Sequence, residues 1–115
     1  MNKVKITVLQ TSVNRELVAK HVDGDRARTL EPCNVLKEGQ EFVTDVIGGM
    51  PAGFCAWAWG DLEKILVAFM AGGDFGEWTH EGGTMILCCT DGERPVYFKL
   101  EKLAVEQACR CRRAD

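Results

Sequence analysis

A chain of 115 residues has the length of one domain and can bury a single hydrophobic core without staples. Its 46% hydrophobic and 27% charged content excludes disordered and fibrous classes. The net charge of −3 argues against a nucleic-acid partner, which calls for a basic face.

The N-terminus, Met1 to Leu9, alternates charged or polar with apolar residues. It lacks the continuous apolar stretch of a signal peptide. No apolar run approaches the roughly 18 residues of a membrane span. The expectation is a cytoplasmic protein without a membrane partner, in which thiols stay reduced. Six cysteines in that setting read first as free thiols or metal ligands.

Val4, Ile6 and Val8 alternate with Lys3, Lys5 and Thr7, which predicts a strand over 3–10 with one wet face. Asn14 is placed to cap a helix over 15–22, with Leu17, Val18, His21 and Val22 as its apolar stripe. His21 is read as structural. Residues 23–32 are polar and end in a proline, which predicts a loop. Glu41 to Ile47 follows a turn and reads as a second strand.

A long helix is predicted over 54–71, stopped by Gly72-Gly73. At 100° per residue, Cys55, Ala58, Leu62, Ile65, Leu66 and Phe69 share one face, with Trp57, Gly60 and Lys64 on the other. Residues 72–83 form a glycine-rich loop, long for so small a domain. Strands over 84–90 and 95–102 flank Asp91-Gly92 as a hairpin. The tail carries Cys109, Cys111 and Arg110, Arg112 and Arg113, read as a solvated end. The fold class is therefore α+β: a single small domain in which a mostly antiparallel sheet of about four strands packs the long helix, with the short helix 15–22 beside it.

The chemistry worth weighing is sulfur chemistry. Cys55 falls in the first turn of the long helix, where backbone N–H groups favour a thiolate. It also sits on the apolar stripe, where free cysteine packs as a small hydrophobe. Cys88 and Cys89 are adjacent, so in a strand they point to opposite faces and at most one joins a site with Cys55. Zinc takes four tetrahedral ligands, typically from C-x₂₋₄-C pairs. This chain has no such pair, so a zinc or iron site would assemble Cys33, Cys55 and one of Cys88 or Cys89 with His80.

The loop adds Asp74, Glu77, His80 and Glu81 as a base or hard-metal set, against the plainer reading of a solvated turn. It lacks the Lys-Ser/Thr of a phosphate loop, which disfavours a nucleotide. Trp59 borders the apolar face and belongs to the core. Trp57 projects from the polar face, which points to a partner surface, most simply a homodimer contact.

Several segments taken together resemble a family of short, usually stand-alone proteins of bacteria and archaea. They are Glu38-Gly39-Gln40-Glu41-Phe42, the run from Met50 through Cys55 to Trp59, Gly72-Gly73-Asp74-Phe75, and Cys88-Cys89-Thr90-Asp91-Gly92 with Arg94-Pro95-Val96. The match spans about residues 3–102. It implies one domain over 1–102 and an added extension over 103–115. It also implies that Cys33, Cys55 and the Cys88-Cys89 pair rank above Cys109 and Cys111. No reaction, substrate or cofactor follows from it.

Three functions stay open. One is a small binding or regulatory domain with a cysteine-based metal or redox site and an unknown small-molecule ligand. The second is a thiol enzyme with Cys55 as nucleophile and His80 on a lid. The third is a self-associating module that uses Trp57.

Overall fold

The computed structural model describes residues 2–44 and 49–103. Alternation decides the first strand: Val4, Ile6 and Val8 are fully buried in β1 (Val4–Thr11), while Lys5 and Thr7 face the other way. β2 (Glu41–Thr44) and β4 (Val96–Lys102) pair antiparallel with β1 on either side, and β3 (Thr84–Cys88) pairs antiparallel with β4. The sheet order is β2-β1-β4-β3. The register sets Ile6 opposite both Phe42 and Leu100, and Phe98 opposite both Val8 and Leu87. All of these side chains consequently share one face, because directly opposed residues lie on the same side of a sheet. A register shift between Val8 and Gln10 leaves Leu9 without a pairing partner, and its side chain is exposed.

The buried face is covered by α3 (Ala56–Met70). Ala58, Trp59, Leu62, Leu66, Phe69 and Met70 are buried there, as the 3.6-residue period requires. Burying side chains of the Leu and Phe kind stabilises by roughly 1.5–3 kcal/mol each, so this helix and the sheet beneath it supply most of the core energy. Phe54, just before α3, meets Phe42 edge-on at 5.0 Å and Phe98 at 5.7 Å between ring centres. The helix ends in a Schellman motif. Gly72 donates to the Phe69 carbonyl at 3.1 Å and Gly73 to that of Ala68 at 2.7 Å, with Gly72 at φ +98°. The fold is α+β, with an antiparallel four-stranded sheet, one long helix and two short ones among the described residues. No helix among the described residues is long and apolar enough to cross a membrane.

Four expectations need correction. Residues 23–32 are not all loop: α2 (Gly24–Thr29) forms there. It buries none of its own residues, so no apolar period announced it. Local bonds hold it instead: Thr29 Oγ1 donates to the Asp25 carbonyl at 2.9 Å, and Arg28 pairs with Asp25.

The second correction concerns α1 (Arg15–His21), where Val18 is the one buried residue while Leu17 and His21 are exposed. This helix packs against α2 rather than the sheet, which narrows its covered stripe. Third, Asn14 is the N-cap residue but makes no side-chain cap bond. Its Nδ2 donates to the Gly92 carbonyl at 2.7 Å, tying α1 to the β3–β4 connection. Finally, the long helix begins at Ala56 rather than Phe54, because Phe54 N–H closes a turn on the Pro51 carbonyl. The expected strand residues 45–47 and the tail with Cys109 and Cys111 lie outside the described residues.

Candidate functional site

Three of the four ranked cysteines come from separate segments to one place. Cys55 is the N-cap residue of α3, in extended geometry (φ −94°, ψ 123°), and its thiol makes no capping hydrogen bond. It is half-buried, as is Cys33, which reaches the core from the segment between α2 and β2. Cys89 is buried just after β3. Its backbone N–H donates to the Val96 carbonyl at 3.1 Å, and its Sγ accepts the Val96 N–H at 3.4 Å. These three thiols line one cavity of about 600 Å³ at the N-terminal end of α3. Cys88 does not line it. Paired opposite Tyr97, it is exposed on the other side of the sheet, as strand alternation demands.

The rest of the lining is mainly apolar, with four charged residues. Leu36, Ala58 and Val96 add apolar wall, and the Trp57 indole stands at the rim. The charged part comes from α2 and the β3–β4 connection: Arg26, Asp91, Glu93 and Arg94. Asp91 builds that connection. Its Oδ1 accepts the N–H groups of Glu93 at 2.9 Å and Arg94 at 3.0 Å, an Asx-type turn that aims both side chains. Partial burial pushes the Asp91 carboxyl upward, but these two amides and the Arg94 charge outweigh it. The group is held below the ordinary carboxylate range.

The two arginines differ. Arg26 is taken up by Glu93, with Nη2 at 2.8 Å and Nε at 3.0 Å from Oε1. Arg94 approaches Asp91 Oδ2 only to 3.6 Å, and its buried Nε has no hydrogen-bond partner.

A polar clasp closes the rim. Trp57 donates its indole N–H to Thr90 Oγ1 at 2.7 Å. One turn further along α3, Asp61 accepts the Thr90 N–H at 2.8 Å and its hydroxyl at 3.1 Å. Trp57 is therefore both exposed and hydrogen-bonded, and Trp59 is buried as its helix phase requires.

The loop 72–83 lies elsewhere. Asp74 Oδ1 accepts the Gly83 N–H at 2.9 Å, while Lys102 Nζ donates to the Gly73 carbonyl at 3.0 Å and faces Asp74 at 3.6 Å. The Gly83 amide, aided by the Lys102 charge, lowers the Asp74 pKa despite an opposing desolvation effect. Glu81 pairs with Lys99 at 3.3 Å. These carboxylates brace the loop on the sheet. His80 is exposed and does not line the cavity. Among the described residues, no group of three or more His, Cys, Asp or Glu side chains is placed to hold a metal ion.

Sequence reasoning missed Arg26, Asp61 and Arg94. Asp91-Gly92 reads as a turn, and an Asx turn fixes the backbone of the residue three on, which is the available signal for Arg94. Arg26 had none, because its place depends on α2. Comparison with protein-family models, curated proteins and solved structures finds no match for this chain.

Proposed function

We propose that this protein is a small-molecule-binding domain, with the cavity at the start of α3 as its ligand site and three thiols as its chemically soft lining. One observation carries this reading: Cys33, Cys55 and Cys89, from three separate segments, line the same cavity as two arginines and an indole. Its volume of about 600 Å³ sits within the roughly 300–1,000 Å³ of small-molecule sites, which combine apolar walls with a few convergent polar groups. The thiols add regulation. Alkylation or oxidation of Cys55 or Cys33 fills the space that a ligand needs, so thiol state and occupancy compete.

A nucleophilic Cys55 is the second reading, supported by its uncapped thiol at the cavity wall. The carboxylates that share its cavity, Asp91 and Glu93, are already committed to the turn amides and to Arg26. A general base for that chemistry must therefore come at the expense of the scaffold. Binding accounts for the same residues with no such loss.

The test is protection. The intact protein is treated with iodoacetamide in the presence of a small fragment library, and each cysteine is followed by peptide mass spectrometry. The expected result is a saturable fragment that slows labelling of Cys33 and Cys55 while Cys88 labels at an unchanged rate. A library in which no member separates those rates overturns the reading.

A further inference from the structure

We infer that the cavity selects a small organic monocarboxylate with an apolar body, anchored through its carboxylate by Arg94. This rests on the cavity being a ligand site and names what that site takes. The two arginines of the lining are not equivalent. Arg26 is satisfied by Glu93 through two short contacts, at 2.8 and 3.0 Å. Arg94 keeps an unpartnered Nε, and that atom is buried.

Its nearest carboxylate, Asp91, presents Oδ2 at 3.6 Å, beyond a normal hydrogen bond, while Oδ1 is held by two backbone amides. That Nε is closed off from the cavity, so a ligand meets Arg94 through the terminal nitrogens of its guanidinium. A guanidinium has a planar fork of donors that matches a carboxylate in bidentate geometry.

Charge and polarity narrow the class. The lining carries Arg26 and Arg94 against Asp91 and Glu93, so its formal charges cancel. A single negative charge is accommodated at Arg94. A phosphate dianion would meet Asp91 and Glu93 as repulsive neighbours with no second free cation among the lining residues. The lining also holds Leu36, Ala58 and Val96 with the three thiols, which reward an apolar body and offer a sugar or polyol few partners. The ligand is thus an acid with a hydrocarbon or aromatic remainder.

The experiment titrates the full chain with a panel of aromatic and branched aliphatic monocarboxylates, each matched with its primary amide. Calorimetry and iodoacetamide protection of Cys55 are the readouts. The expected result is at least one acid that binds about tenfold or more tightly than its amide, the scale of a charge-assisted hydrogen bond. Arg94→Gln erases that preference, Arg94→Lys recovers part of it, and Lys64→Gln, exposed on α3 and outside the lining, leaves it in place. If Arg94→Gln fails to fold, the acid-to-amide ratio on the wild type still decides. Amides that bind and protect as well as their acids overturn the anchor and leave the binding site standing. If neither series binds or protects, the carboxylate inference falls, and the fragment-library protection result decides the binding site by itself.

Discussion

Trp57 donates its indole N–H to Thr90 Oγ1 at 2.7 Å although two-thirds of its side chain, 66%, is exposed. That bond joins the first turn of α3 to the β3–β4 connection across the cavity rim. Asp61 holds Thr90 from the other side. Trp57→Phe and Thr90→Val should each destabilise the fold slightly. In a double-mutant cycle they should couple by about 0.5–1.5 kcal/mol, the net worth of one hydrogen bond. Urea unfolding of the four proteins measures this. Strict additivity would show that the indole merely rests against the threonine.

Two glycines of the helical region should respond oppositely to alanine. Gly60 lies inside α3, exposed, with nothing within 4 Å of an added Cβ. Gly60→Ala should stabilise by about 0.5–1 kcal/mol through helix propensity alone. Gly73 is different: a Cβ there would lie 2.9 Å from the Ala68 carbonyl oxygen, the acceptor of its own Schellman bond. Gly73→Ala should destabilise by about 1–3 kcal/mol, because backbone rather than a flexible side chain must move. Thermal unfolding of both variants checks the opposite signs.

These two glycines also show why some features were legible in the sequence and others were not. Gly73 announced itself because a helix stop is a local event. The α3 face and the alternation of β1 were equally plain, since each is periodic and each is paid in apolar burial along one element. The separation of Cys88 from Cys89 needed only the two-residue repeat of a strand. What no local pattern encodes is how segments meet. Cys33 and Arg26 join the cavity because α2 folds back toward the β3–β4 connection, and α2 has no apolar period to reveal it. His80 looked chemical because it neighbours Asp74 and Glu81, but those carboxylates face Lys102 and Lys99.

The cysteines should alkylate in an order set by burial. Cys88 is exposed, Cys33 and Cys55 are half-buried, and Cys89 is buried with its sulfur accepting the Val96 amide. Among these four, under native conditions, Cys88 should label first and Cys89 last, the latter only through opening of the β3–β4 end. Added urea below the unfolding midpoint should accelerate Cys89 most. Peptide mass spectrometry against time reads the order, and a fast Cys89 would mean that this end of the sheet is open.

Asp91 ties the site to pH. Its carboxyl titrates below the ordinary value of 3.8 in the folded protein, so the folded state favours the ionised form. A depressed carboxyl stabilises the fold fully above its unfolded pKa and loses that contribution as pH falls through the folded value. Acidification from pH 6 to below 3.8 should therefore destabilise the wild type more than Asp91→Asn. One-third of the side chain, 33%, stays exposed, so the difference is on the order of a few tenths of a kcal/mol after screening.

The same protonation weakens the two turn amide bonds that place Arg94 and removes the charge facing its guanidinium. Urea midpoints of the two proteins across that range measure the effect. Parallel curves would mean that the turn, and with it Arg94, is held by the strands alone.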